Sequence, residues 1–400
     1  MQYKRKLVST LYLGFELLAI LISLNLIISY RLSISEDIFL LIAAMFIGIF
    51  GLKFDTFHAK KWITKKFQHP FLNFWNYILQ IISWVIISNM LVNKGYSQYS
   101  LFSTLPIILI ILCVVSRILT FKFSSNKIFC YFQMIIIFLV VGGIAKGIPT
   151  GLIYAFSNTN SVKSFTASAL ISIPFVILMV KKLMETNNIR KIQTSDSLKS
   201  VFAGRAWFII ILVHIVALFF DSGFWLHPLS TWHLTTEGLM FGLYAGFVEE
   251  MLARGLILGI LINFYANETN GLLKAIIYQS LIFGIVHLSG IISGEGISAI
   301  FVALDVTAMG IVWGLIYLYT QRIWIVIVMH MAWDILENII SQESNLSIPG
   351  FQGIIVSVLV SLIFLSLSIF LFRKKTINLS NVNKKTNTTF IISLENKNEK

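Results

Sequence analysis

Long apolar runs without charges, separated by short polar connections, recur along nearly the whole chain. A helix that crosses a bilayer needs about 20 apolar residues, and the runs are about that long. The pattern therefore predicts an all-α, polytopic integral membrane protein with about twelve transmembrane helices. Their approximate ranges are 8–30, 38–54, 71–92, 101–121, 128–147, 164–180, 204–220, 236–262, 272–291, 296–319, 323–340 and 352–372.

Composition supports a protein that lies in the bilayer. Of the 400 residues, 57% are hydrophobic and 12% are charged, and the mean hydropathy is +0.83, which is too apolar for a water-soluble domain. The first run follows the basic start Met1–Lys6, as in a secretory signal, but no small-residue cleavage site follows it. We expect a retained first helix.

The net charge of +13 has a membrane explanation. With the N-terminus inside, twelve spans place nearly all Lys and Arg residues in cytoplasmic segments, as the positive-inside rule requires. The exceptions are Arg31, Lys94, Lys146 and Lys163 on the outer side and Arg254 within a span. We therefore expect both termini in the cytoplasm, the lipid bilayer as a partner, and no nucleic-acid partner.

A polar stretch at residues 181–200 divides the predicted spans into two halves of six. We predict an N-terminal accessory transmembrane region at 1–200, a second transmembrane domain at 201–372 and a basic cytoplasmic tail at 373–400. Cys113 and Cys130 have neither CxxC nor CxxH spacing, so neither a disulfide framework nor a thiolate metal site is expected.

Ionisable side chains within the predicted spans are concentrated in the second half. Such groups are costly in hydrocarbon, so each is by default a candidate functional residue. A structural role, as a buried ion pair or a packing histidine, would explain any one of these residues, but it does not explain why several occur together in one half of the chain. Three rows carry them: Phe247-Val-Glu249-Glu250-Met-Leu-Ala-Arg254, Phe283-Gly-Ile-Val-His287 and His330-Met-Ala-Trp-Asp334.

Spacing separates these side chains into roles, because residues four apart share a helix face. Glu250 and Arg254 can neutralise each other, which leaves Glu249 without a partner in its own helix. A desolvated carboxylate near a histidine suits a general base that activates water, and His287 could share that water. His330 and Asp334 form a second same-face pair that could hold the oxyanion of a peptide carbonyl.

Other polar residues in this half are expected outside the site. We expect Asp305 to hydrogen-bond a neighbouring helix, and His214, His227 and His233 to lie at the membrane interface or in solvent. The motifs HExxH, GxSxG and GxGD of other peptidases are absent from the sequence.

The three rows resemble the glutamate-glutamate-xxx-arginine, phenylalanine-xxx-histidine and histidine-xxx-asparagine or aspartate motifs of the CAAX protease and bacteriocin-processing family, also called Abi or CPBP. The resemblance covers about residues 204–372, with the motif core at 236–340. It implies that Glu249 and His287 activate the nucleophilic water, and that His330 and Asp334 bind the oxyanion. Glu250 and Arg254 complete the first motif.

Two points stay open at this level. The family has also been described as metal-dependent, and a carboxylate with two histidines, here Glu249, His287 and His330, could bind zinc with an open position; we favour the metal-free interpretation. Asp334 stands where asparagine is frequent in eukaryotic members, and a carboxyl donates a hydrogen bond only when protonated. Asp334 could instead orient His330 or ligate a metal.

The expected function is therefore an intramembrane endopeptidase that cleaves a membrane-associated peptide or protein, in a bacterial plasma membrane. Bacterial relatives imply processing of bacteriocin or pheromone leaders, bacteriocin self-immunity or surface-protein processing, whereas eukaryotic relatives imply trimming of prenylated C-terminal CAAX tails, which a bacterial source disfavours. A proton-coupled transporter could use the same acids and histidines as a relay, although its sites often lie between related repeats. A non-catalytic bacteriocin immunity protein is the third interpretation.

Overall fold

The structure is a computed structural model that describes residues 118, 121–157, 161–189, 205–221, 233–266, 268, 270–292, 296–340 and 351–373. Every regular element in these ranges is helical, so the predicted all-α class is confirmed for the described part of the chain. The predicted spans before residue 118 lie outside the described residues. The count of twelve and the position of the termini stay predictions.

Two compact units divide the chain at residues 160 and 161. The first unit contains α1 (Lys127–Ser157), whose start is capped by Asn126: its Oδ1 accepts the backbone N–H of Ile128 at 3.1 Å. The second unit contains the remaining described helices. They are α2 (Ser161–Thr186), α3 (Arg205–Asp221), α4 (Thr236–Glu250), α5 (Leu258–Tyr265), α6 (Gly271–His287), α7 (Ser289–Ile292), α8 (Ser298–Thr320), α9 (Ile323–Ile340) and α10 (Phe351–Arg373).

Three helices within the described part are long and apolar enough to cross a membrane: Lys127–Ala145, Gly271–Ile291 and Ser298–Leu318. Two shorter apolar stretches, Ile209–Leu218 and Val358–Ile369, lie in α3 and α10. All of these coincide with predicted spans. The apolar pattern therefore located the helices of the second unit to within a few residues.

The predicted span 236–262 is one helical path with an unusual middle. Thr235 caps α4 by accepting the backbone N–H of Gly238 at 3.0 Å. A π-helical segment, Met251–Ile257, then follows α4 without a break and leads into α5. The backbone N–H of Leu258 donates to the carbonyl of Ala253, five residues earlier, which is the π-helical pattern.

Glycines allow α4 and α9 to pack with their backbones close together. A Cβ added to Gly242 would lie 2.6 Å from Ile335 Cγ1, and one added to Gly246 would lie 2.7 Å from the backbone nitrogen of Met331. Small residues permit such approaches between membrane helices. Because the next position on the same face is Glu250, this contact aims Glu250 at α9.

Candidate active site

Glu249 and Glu250 end α4 and diverge, because consecutive residues of a helix point about 100° apart. Glu249 faces His287, the last residue of α6, and Glu250 faces His330 on α9. Two consecutive glutamates thus bring together histidines from two different helices, so that His287 and His330 belong to one site.

Glu249 and His287 face each other at a partly exposed side of the site, and we call them the half-open pair. Glu249 Oε2 lies 3.7 Å from His287 Nε2, and the side chains are 25% and 24% exposed. His287 Nδ1 lies 2.8 Å from the carbonyl oxygen of Phe283. Because a carbonyl only accepts, Nδ1 must donate, and in the neutral ring Nε2 is left as an acceptor. With the ring neutral, two acceptors therefore face each other on the open side of the site, where a water molecule can donate a hydrogen bond to either.

The second carboxylate belongs to a buried charged cluster, which we define as Glu250, Arg254 and His330. Glu250 Oε1 accepts a hydrogen bond from Arg254 Nη1 at 2.6 Å and lies 2.9 Å from His330 Nδ1. The side chains of Glu250 and Arg254 are fully buried, and that of His330 is 6% exposed. The predicted pairing of Glu250 with Arg254 is therefore present, and the same oxygen also binds α9.

Arg254 is held from several sides. Its Nη2 donates to the carbonyl oxygen of Gly310 at 3.4 Å, and its guanidinium carbon lies 4.7 Å from the ring centroid of Phe283 and 5.6 Å from that of Trp313. Such cation–π contacts stabilise a guanidinium away from water. The π-helical segment, α6 and α8 are thereby joined at one charged group.

Asp334 lies beside His330 on the same face of α9, as the spacing of four predicts. Asp334 Oδ2 is 3.5 Å from His330 Nε2, and the Asp334 side chain is 13% exposed. Both ring nitrogens of His330 therefore face carboxylates, Glu250 on one side and Asp334 on the other. This arrangement favours the interpretation in which Asp334 orients His330.

Phe283, the phenylalanine of the second motif, packs against both histidines of the site. Its buried ring meets His287 edge-on at 4.8 Å between centroids and His330 edge-on at 6.3 Å. Phe283 therefore stands between the half-open pair and the charged cluster. Both histidines are packed against one rigid apolar side chain.

Sequence reasoning missed His214 and Trp313. His214, expected at the interface or in solvent, lies in α3, and its Nε2 accepts a hydrogen bond from Trp313 Nε1 at 2.8 Å. Trp313 is fully buried in α8. No local pattern relates two residues 99 positions apart.

The expectation for Asp305 is confirmed. Asp305 Oδ1 accepts a hydrogen bond from Ser361 Oγ of α10 at 2.5 Å, so Asp305 does bind a neighbouring helix.

The arrangement of the site does not suit the three proposed metal ligands. Within the described residues no group of three His, Cys, Asp or Glu side chains is placed to hold a metal ion. His330, the third candidate ligand, has Nδ1 on Glu250 and Nε2 facing Asp334. Glu249 and His287 alone supply two ligands, one fewer than a catalytic zinc site has from the protein.

A family comparison bears on the part of the chain that carries the three motifs. Residues 231–336 match the family model described as type II CAAX prenyl endopeptidase Rce1-like. The CPBP resemblance of the three motifs is thereby confirmed for this part of the chain, and the match supports a membrane endopeptidase. Neither a curated protein nor a solved structure matches the chain.

Proposed function

We propose that the chain is an intramembrane endopeptidase of the CPBP type, in which Glu249 and His287 activate a water molecule. One observation carries the proposal. A carboxylate and a histidine nitrogen face each other across 3.7 Å on a half-open side of the site, next to a charged cluster that is almost fully buried. A general base needs access to water, and its supporting charges need fixed positions.

The reaction follows from these positions. Glu249 takes a proton from the water, and the remaining hydroxide oxygen forms a bond to the carbonyl carbon of the substrate. Glu250, 2.9 Å from His330 Nδ1, keeps the ring oriented, and Nε2–H, which lies 3.5 Å from Asp334 without a short hydrogen bond, donates to the oxyanion that develops. Glu249 then passes the proton to the amide nitrogen, the carbon–nitrogen bond breaks as the carbonyl reforms, and a carboxylic acid and an amine leave; the acid loses its remaining proton to solvent.

We further propose a membrane-associated peptide or protein as the substrate and a bacterial plasma membrane as the location. Leader peptides of bacteriocins or pheromones, bacteriocin self-immunity and surface-protein processing are the biological settings that CPBP membership favours. The supporting observation is placement: the half-open pair lies at the junction of apolar helices, where a membrane-bound segment can reach it.

The proposal is tested by cleavage of a lipid- or leader-bearing peptide library by the purified protein in detergent. We expect Glu249→Gln and His287→Ala to lower kcat by about 10²–10⁴-fold while the protein remains folded. Glu268→Gln is the matched control, because Glu268 is a partly exposed carboxylate paired with Lys274 at 2.8 Å in the turn before α6. Undiminished cleavage by folded Glu249→Gln would refute the proposed base.

A further inference from the structure

The hydrogen bond between His214 and Trp313 has a fixed direction. His214 Nδ1 lies 2.7 Å from the carbonyl oxygen of Ile210. A carbonyl cannot donate, so Nδ1 carries the proton and Nε2 presents a lone pair. Trp313 has only a donor, its indole N–H, and that donor meets Nε2 at 2.8 Å. The two bonds fix the tautomer of His214 and the plane of the indole together.

The indole fixed in this way lies against the charged cluster. The ring centroid of Trp313 is 4.7 Å from that of His330, and the guanidinium carbon of Arg254 is 5.6 Å from it. Trp313 is fully buried and thus has little room to turn. The orientation of one indole therefore bears on two members of the cluster, which come from different helices.

α3 otherwise stands apart from the chemistry. It precedes the family match, which begins at residue 231, and no motif residue lies in it. His214 is also packed edge-on against Phe364 of α10, at 5.1 Å between centroids. The side chain that α3 contributes at this point is an acceptor for an indole, where an apolar residue would have sufficed for packing alone.

We infer that His214 is a positioning residue of the active site, acting through Trp313 to hold the ring of His330 in the orientation that the oxyanion step requires. This inference rests on the proposed function for its catalytic consequence. The structural part of the inference, that the hydrogen bond between His214 and Trp313 orients His330, does not rest on that function and can be tested without a substrate. The functional unit would then extend beyond residues 231–336 to include α3.

Four variants of the full chain separate the hydrogen bond from packing. His214→Leu removes the acceptor and keeps a side chain of similar bulk, whereas His214→Gln keeps an acceptor at similar reach. Trp313→Phe keeps a ring but removes the donor, so it tests the bond even if His214→Leu fails to fold. His233→Leu, at an exposed histidine, is the matched control.

The first readout is the ¹⁵N spectrum of the His330 imidazole in protein labelled at histidine, which reports the protonation and hydrogen bonding of both ring nitrogens. We expect His330 resonances to shift in His214→Leu and in Trp313→Phe, and to stay at wild-type positions in His214→Gln and His233→Leu. Unchanged resonances in His214→Leu, or equal shifts in His214→Leu and His214→Gln, would overturn the inference.

The second readout is kinetic. A misplaced oxyanion donor lowers kcat by about tenfold to a hundredfold and leaves KM within about twofold. We expect His214→Leu to lower kcat in this way without changing KM, and His214→Gln to have nearly wild-type kcat. Wild-type kcat in His214→Leu would overturn the inference. If the wild-type protein cleaves nothing, the proposed function fails, while the His330 spectra still decide whether His214 orients that ring.

Discussion

The two glutamates that end α4 have neighbours of different kinds, and their removal should have different effects. Glu250 is fully buried and holds both Arg254 and His330, so Glu250→Ala leaves two donors without their carboxylate in a site closed to water. Breaking a buried charged pair on one side costs about 3–5 kcal/mol. We expect a loss of that size in the free energy of unfolding, measured by denaturant titration.

The control for this change is Glu268→Ala. Its partner Lys274 is also a cation, at 2.8 Å, but the two side chains are 32% and 44% exposed. An exposed pair contributes about 0–1 kcal/mol. Equal losses in the two variants would mean that the buried cluster does not stabilise the fold.

Dependence on a metal is decided at the half-open pair, Glu249 and His287. Because no group of three His, Cys, Asp or Glu side chains among the described residues is placed to hold a metal ion, Glu249 and His287 are short of the three protein ligands of a catalytic zinc site. We expect cleavage to persist after treatment with EDTA or 1,10-phenanthroline and after dialysis. Loss of cleavage that added zinc restores would show that the site rearranges around a metal.

At the scale of residues, the sequence predicts the partners of residues within one helix, but it does not predict every partner across helices. The spacing of four places Glu250 with Arg254 and His330 with Asp334, and the structure shows both pairs. The assignment of these residues to catalytic roles stays a prediction. The bond from Glu250 to His330 and that from Trp313 to His214 depend on how helices pack, which no local spacing determines.

Among the elements, the contact between α4 and α9 determines where Glu250 meets His330. Gly246→Ala would place a Cβ 2.7 Å from the backbone nitrogen of Met331, so the helices must separate. Overpacking of this kind costs about 1–3 kcal/mol. We expect a lower midpoint of thermal unfolding and reduced cleavage together, because the separation also lengthens the bond between Glu250 and His330.

Gly255→Ala is the matched control for this helix contact. Its added Cβ would lie 3.5 Å from Ile323 Cδ1, an ordinary van der Waals distance. Alanine is favoured over glycine in helices by about 1 kcal/mol, so the control should be neutral or slightly stabilising. A Gly246→Ala protein as stable and active as this control would show that α4 and α9 do not need their close approach.

The π-helical segment is an element that apolar periodicity could not predict. Span 236–262 is predicted from its apolar length alone, and that length does not reveal one wider turn. The segment begins directly after Glu250 and contains Arg254, and π-helical turns occur frequently at functional sites. The sequence thus predicts where this helix begins and ends, but it does not predict the π-helical segment within it.

For the whole molecule, the described helices place the chemistry in one compact unit, residues 161–400. The family match covers the motif helices, at residues 231–336. Side chains from α3 and α10 also meet near Trp313, at His214 and Phe364. The boundary predicted at residue 200 and the accessory role of residues 1–200 stay predictions.

The topology with twelve spans makes a prediction that labelling in whole cells can decide. It places residues 181–203 in the cytoplasm and residues 341–351 outside, because an odd number of spans separates them. Single cysteines are introduced by Ser197→Cys or Ser344→Cys in a chain whose two native cysteines have been replaced by alanine. We expect a membrane-impermeant maleimide to label position 344 in intact cells, and position 197 only after permeabilisation.

The other labelling patterns contradict different parts of the topology. Labelling of both positions in intact cells, or of neither, would require an even number of spans between them, so the count of spans in the second half would be wrong. Labelling of position 197 alone would keep the odd number of spans but reverse the orientation. That outcome would place most of the basic segments outside the cell and contradict the positive-inside argument.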